Sequence, residues 1–598
     1  MGRYPLLLLL LLLTSPIAVV CRSPWEVRVI GSEWVWVPAV RSADGYEGVL
    51  ANLSLVVTEG SGEVYISTSP LAEIDMQGAA LTAARVACEV LGLPFHKYNF
   101  YYKVYSDSII IGGPSAGAEM TVLALAVLSG RRINRSVLMT GMINPDGSIG
   151  PVGGILEKAE AAAEKGVRRF LVPAGQTTVY RYVRREERLG PFVYVSVTRE
   201  PVDLVKYARD KWGMEVVEVS NIYEVAREFL GLNIGYRVSY RPELSPDVER
   251  YLIEINDNLT AMADAESRIA REYLRRLGGY YGSELMKVWN EGMNYLKKAR
   301  EPGRYIYERA SYAFFSLVEF GWVRYRAMYL LGEDLDHEVK RVTRLVNSVK
   351  REVRKAVDLV NSVSDVDFLL VAVQRASEAE RFLNKARESW SRDVRDSLWS
   401  LSYARWRAYT VELWLRLMKA REGTFRLDVR ELRSIAHSYV SQARAVVSYV
   451  NVVAGEGGLV QPLLSEANEY YQEAQRRLVE GDYLSAAVSS IESLVRSEVA
   501  MNVINLRIGG LGPETVQSLL NYTRLRALYS MAKAGKVAEP AVATLYYLYG
   551  TKAKDLEEAL ICYKLASYYA QLLHDIVSRS KSARLPLLAE LRDQTVIY

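Results

Sequence analysis

The 598-residue chain has only three cysteines and four histidines. Cys21 lies in an N-terminal apolar segment, and Cys88 and Cys562 sit far apart in helical patterns, so no disulfide framework is indicated. His96, His337, His437 and His574 are scattered without metal-ligand spacing, which leaves no metal site and no cofactor to expect. No G-x-x-x-x-G-K-[ST] phosphate loop occurs in the sequence, so the signature of a nucleotide-driven motor is missing. Charge of one sign is also scarce: 75 basic against 70 acidic residues give +5, too little for a nucleic-acid footprint.

The leading apolar run stands at the N-terminus. Arg3 precedes an unbroken Leu6 to Leu13, which Thr14-Ser15-Pro16 interrupts, so residues 1–23 read as a signal peptide or N-terminal membrane anchor. Leu6 to Val20 is short beside the ~20 residues of a spanning helix. The body of the protein is therefore expected outside the cell, free or membrane-anchored. Four N-x-[ST] sequons, at Asn52, Asn134, Asn258 and Asn521, are compatible with export.

What is present is ample material for several cores, with half the residues hydrophobic and 24% charged. Two unlike halves follow. Residues 24–235 alternate extended and helical patterns: Glu26 to Trp36 and Leu53 to Ser67 read as strands, and Asp75 to Leu91 as a helix. A linker at 236–246 leads into 247–598, where strand signals nearly vanish and long apolar-periodic helices continue. Met293 to Ala299 before Gly303 and Tyr305, and Tyr470 to Ala474 before Gly481 and Tyr483, read as helical hairpins; Phe382 to Trp414 is a third candidate without the glycine. A generic antiparallel bundle accounts for the same pattern. The stripe Phe314, Phe315, Phe320, Trp322 and Tyr325 reads as core.

The candidate chemistry is concentrated in two strand-turn-helix passages. Ser108 to Ile111 is extended, Gly112-Gly113-Pro114 breaks it, and an apolar helix runs from Ala116 to Leu128, so Ser115 falls at a helix start. Backbone N–H groups and the positive helix end favour an oxyanion there, with Gly113, Pro114, Ala116 and Gly117 shaping the turn. Pro151-Val152-Gly153-Gly154 repeats the arrangement, leading into a helix from Ile155 to Lys165 that holds Lys158 in its first turn. Burial at a positive helix end would depress that lysine's pKa until it could serve as a base. Taken singly, a G-x-S-A-G turn is a tight connection, and a first-turn lysine is ordinarily solvated. Their joint occurrence is what points to a nucleophile and its base.

The ordered set GPSAG, Met139-Thr140-Gly141, Gly150-Pro151-Val152-Gly153-Gly154 with Glu157-Lys158, and Phe170-Leu171-Val172-Pro173 resembles the proteolytic domain of the Lon family from about Val27 to Leu232. The resemblance implies an α+β peptidase domain of the ribosomal protein S5 domain 2-like kind, ahead of the large all-α hairpin or bundle region. It implies a Ser-Lys dyad of Ser115 and Lys158, with Thr140 supporting the lysine. Two positions depart: the family's usual Asp before GPSAG is Gly112, and the usual Glu after T-G is Met142. A site poorer in carboxylates is the expected result. A typical Lon carries an ATPase module before this domain, whereas only about two dozen residues precede it here. Peptide or unfolded-protein substrates, cleaved without ATP, are therefore expected. The resemblance extends to archaeal Lon-like serine proteases and implies a homo-oligomer. The alternative is a decayed Lon-like scaffold whose helical region carries the function.

Overall fold

The computed structural model describes residues 28–42, 46–72, 74–111, 114–189, 192–235, 238–418, 424–456, 462–509 and 512–580. The leader, Gly112 and Gly113 lie outside these residues. Among the described residues no helix is long and apolar enough to cross a membrane.

The N-terminal half opens with β1 (Val29–Ser42), β2 (Tyr46–Glu59), β3 (Val64–Ala72) and β4 (Tyr98–Ile111), ordered β1-β2-β4-β3 in one sheet. The β1–β2 and β2–β4 pairs are antiparallel, and β3–β4 is parallel across helix α1 (Ile74–Val90). The stretch expected as one strand, Leu53 to Ser67, is two strands, because Gly60-Ser61-Gly62 turns the chain and Gly62 takes φ +94°. Alternation sorts the faces: Val35, Val37, Leu53, Leu55 and Val57 enter the main core, whereas Trp36 and Leu50 pack on a second cluster behind the sheet.

Helix α2 (Gly117–Ser129) lies in the main core, with every residue from Gly117 to Ala126 buried, and ends at Gly130 in the left-handed conformation. A second sheet holds β5 (Val137–Met139), β8 (Arg169–Pro173) and β11 (Glu215–Val219), all parallel in the order β11-β8-β5. Between β5 and β8 come the short pair β6 (Met142–Ile143) and β7 (Ile149–Gly150) and helix α3 (Ile155–Glu164). An antiparallel ribbon of β9 (Thr178–Leu189) and β10 (Phe192–Asp203) precedes α4 (Leu204–Trp212). Helix α5 (Ile222–Leu230) starts on Asn221, whose side chain accepts the N–H groups of Tyr223 and Glu224.

Twelve helices follow among the described residues, from α6 (Pro246–Leu277) to α17 (Leu556–Arg579). Helices α7 (Gly279–Ala299) and α8 (Ile306–Leu330) pack as a hairpin around Gly303, as do α13 (Pro462–Val479) and α14 (Tyr483–Gly509) around Gly481. Helices α10 (Val363–Ser389) and α11 (Val394–Met418) also pair without a glycine, joined through the Phe382, Trp399 and Tyr403 rings. Phe314, Phe320, Trp322 and Tyr325 are core residues, whereas Phe315 reaches the surface.

The two halves share one continuous apolar core. It runs from Ala79 and Ala83 of α1 to Tyr449 of α12 (Val429–Glu456), Val499 of α14 and Tyr568 of α17. Cys88 and Cys562 are both buried and free.

Candidate active site

Ser115 lies half-buried in a single 3-10 turn, Pro114–Ala116, just before α2. The turn is fixed from the opposite strand. Gly141 N–H donates to the Ser115 carbonyl at 3.0 Å, and Ala118 N–H donates to the Gly141 carbonyl at 3.1 Å. The Ala118 N–H at this helix start is therefore committed to main chain rather than open to an oxyanion. Gly117 is required by the close approach of β6, since a Cβ there would stand 2.8 Å from Ile143 Cγ2 and 3.0 Å from Ile143 N.

The same strand passage carries Thr140, whose N–H donates to Leu171 O at 3.1 Å and ties it to β8. Its side chain is fully buried, and Oγ1 has no hydrogen-bond partner among the described residues. Thr140 and Ser115 are thus one peptide link and one hydrogen bond apart.

Lys158 stands in the first turn of α3, behind Gly154, which caps the helix in the left-handed conformation with φ +64°. The β1–β2 pair packs on both helices: Trp36 and Leu50 join the cluster around Ile155, Leu156 and Ala159, while Val35 and Leu53 pack with α2 on the other face. This enclosure leaves Lys158 5% exposed. Burial drives its pKa from 10.5 down to about 8, against the raising influence of Glu119 and Glu157.

Glu119 was not legible as a site residue. It occupies the first turn of α2, four positions after Ser115, and is wholly buried. Neither carboxyl oxygen has a hydrogen-bond partner on another residue, and burial pushes the group well above the ordinary carboxylate range, opposed by the charge of Lys158. Gly112 lies outside the described residues and Met142 is buried in the apolar cluster around α3, yet an acidic side chain arrives from α2. The one available signal was a charge in an otherwise apolar run, Ala116-Gly117-Ala118-Glu119-Met120-Thr121-Val122.

The passage from Thr140 to Pro151 is held on its far side by the helical half. Tyr522 of α15 (Pro513–Ala534) donates to Asp146 O at 2.5 Å, and Asn505 Nδ2 of α14 donates to Asn144 Oδ1 at 3.2 Å. Lys564 Nζ of α17 lies 2.6 Å from Asp146 Oδ2 and 3.1 Å from Glu498 Oε2. The segment between the Ser115 turn and the Lys158 helix is therefore braced by three helices from the far end of the chain.

A model of the Lon protease (S16) C-terminal proteolytic domain matches residues 46–185. The chain carries a Lon-family proteolytic domain. Ser115, Thr140 and Lys158 all lie within the matched residues. Lon protease 1 of Thermus thermophilus is 32% identical over 190 residues, covering 27% of this chain and 24% of that protein. Lon protease of Phenylobacterium zucineum is 36% identical over 136 residues, or 22% of this chain and 17% of its own length. Lon protease 2 of Syntrophobacter fumaroxidans is 35% identical over 131 residues, with 21% and 16% covered. The chain thus spans less than a quarter of the length of these curated relatives. The matched Lon-type region ends inside β9, while β11 continues its sheet beyond the match by pairing with β8.

Proposed function

We propose that this protein is a serine peptidase working through a Ser-Lys dyad. Ser115 Oγ attacks the scissile carbonyl carbon while neutral Lys158 accepts the hydroxyl proton, and the oxyanion is stabilised at the start of α2. Lys158 returns that proton to the leaving amine nitrogen, the C–N bond breaks, and an ester to Ser115 remains. Water then attacks the ester with Lys158 as its base, which releases the acid and restores the serine. Thr140 orients the lysine through its otherwise unpartnered hydroxyl.

Lys158 is the residue on which this assignment depends. A first-turn lysine is ordinarily solvated and charged, whereas this one is enclosed and has a pKa near 8, where a useful fraction is neutral in mildly alkaline solution. The Lon-type match supports the same assignment.

Peptides and unfolded proteins are the substrates, cleaved without nucleotide, since no phosphate loop occurs in the sequence. Cleavage takes place outside the cytoplasm, to which the Arg3 and Leu6 to Leu13 leader directs the chain. A homo-oligomer is the assembly implied by the family resemblance. Casein incubated with the pure protein in nucleotide-free buffer should be degraded, and a Ser115→Ala protein should leave it intact. Strict dependence on added ATP sinks the nucleotide-free proposal, and equal cleavage by the Ser115→Ala protein sinks the dyad. No cleavage under either condition favours a scaffold role.

A further inference from the structure

Between the passage from Thr140 to Pro151 and the helical half lies a cavity of about 50 Å³ that has no part in the proposed peptidase chemistry. Pro173 ends β8 and Ser220 follows β11, so the cavity lies at the carboxyl ends of these parallel strands, where sheets of this kind hold ligands. Helices α14 and α15 close the other side with Asn502, Asn505, Leu506, Thr515 and Ser518. No charged side chain lines it among the described residues.

The hydrogen bonds beside the cavity all run toward one carboxylate. Lys564 keeps Asp146 ionised, so Asp146 only accepts. Its Oδ1 takes the Ser148 Oγ proton at 2.6 Å, and its Oδ2 accepts from Lys564 Nζ at 2.6 Å and Asn502 Nδ2 at 3.5 Å. Ser148 Oγ in turn accepts from Asn144 Nδ2 at 2.9 Å, and Asn144 Oδ1 accepts from Asn505 Nδ2 at 3.2 Å. Both helical asparagines are thereby turned with nitrogen toward the carboxylate, and flipping either amide would set its oxygen against an acceptor. Their oxygens are left over. Asn502 Oδ1 and Asn505 Oδ1 accept no hydrogen bond from any described residue, on residues only 2% and 9% exposed. Two buried acceptors three positions apart on one helix face cost stability until a donor reaches them.

We propose that this cavity is a binding site for a small uncharged molecule bearing a primary carboxamide. Its NH2 group donates to the two asparagine oxygens, the Thr515 and Ser518 hydroxyls donate to its carbonyl, and its apolar part rests on Pro151, Pro173 and Leu506. An ion would lose its water here and find no counter-charge on the lining. A molecule so bound joins the Thr140 to Pro151 passage to α14 and α15. The proposal is independent of the Ser-Lys assignment.

The test compares three molecules of one shape, acetamide, acetone and acetate, by saturation-transfer NMR of their methyl signals with the full-length protein. Acetamide should give a saturable signal in the millimolar range, as its few heavy atoms permit. Acetone and acetate should bind about tenfold more weakly, because neither carries an N–H. Ser518→Phe fills the cavity from its half-buried wall and leaves the asparagines in place, so it should abolish acetamide binding in a protein that melts as wild type does. Asn505→Leu should weaken binding about tenfold. Ser115→Ala should bind acetamide as wild type does, which separates this cavity from the Ser115 site. Equal binding of acetone, unchanged binding in folded Ser518→Phe or loss of binding in Ser115→Ala overturns the proposal. No saturable signal from acetamide means that water alone fills the cavity, and overturns it too.

Discussion

Lys564 and Asp146 are 418 positions apart in the chain and 2.6 Å apart in space, both buried, in an ion pair that joins the helical half to the segment bracing the Ser115 turn. Although burial opposes it, Lys564 holds the Asp146 carboxyl down to about 2, with help from Ser148. Glu498, also bonded to Lys564 and Tyr568, completes the cluster.

Removing the cation should therefore be costly. Lys564→Met leaves Asp146 and Glu498 enclosed without their shared ammonium, for a loss of about 3–5 kcal/mol in denaturant unfolding. Because the folded pKa of Asp146 lies below its reference value of 3.8, its contribution is complete above pH 4 and is lost as pH falls through about 2. The continuous core further requires that both halves melt together, so calorimetry should show one transition. Two well-separated transitions, or a silent Lys564→Met, would contradict the shared interface.

Lys158 should show the opposite behaviour, being a residue whose burial is costly. Its folded pKa lies below 10.5, so the enclosed ammonium destabilises the fold below pH 8, and that cost fades as pH rises toward 10.5. Lys158→Met should abolish activity yet raise stability at pH 7 by on the order of 3 kcal/mol, with the gain shrinking at pH 10. Urea titrations at the two pH values measure it, and a destabilised Lys158→Met at pH 7 rejects the assigned burial cost.

Catalysis should follow the same group. The rate should rise with pH through a midpoint near 8, because only neutral Lys158 can take the Ser115 proton. Lys158→Arg should be inactive while folded, since a guanidinium stays protonated at any working pH. A pH-rate curve that is flat from 6 to 10 would assign the base elsewhere.

Cys88 and Cys562 should be chemically silent. Burial pushes each thiol up to about 12, so neither offers a thiolate at neutral pH. Iodoacetamide at pH 8 followed by peptide mapping should find both unmodified until the chain is unfolded, and reductant should leave Tm unchanged. Rapid native alkylation of either residue contradicts the packing around α1 or α17.

Local signals carried much of the fold. Gly130, Gly213 and Gly231 end helices in the left-handed conformation, and Asn221 caps one, each acting within a few residues of itself. The Ser115 turn and the Lys158 helix were legible for the same reason. What could not be read was contact between distant segments. Nothing near Asp146 announces Lys564, and a core shared by α1 and α12 leaves no periodicity different from that of two separate cores. Glu119 has no local signal beyond a single charge within an apolar helix. The β-rich stretch from Leu53 to Ser67 is two strands because the Gly60-Ser61-Gly62 turn interrupts it, a short signal within a strand-like composition.

The most direct test is covalent. The pure full-length protein is incubated at pH 8.5 with a serine-directed phosphonate, digested, and mapped by mass spectrometry. Expected is a single adduct on the peptide containing Ser115, lost in the folded Lys158→Arg protein; an unlabelled Ser115 in folded wild-type protein, or equal labelling in the Lys158→Arg protein, contradicts the Ser-Lys assignment.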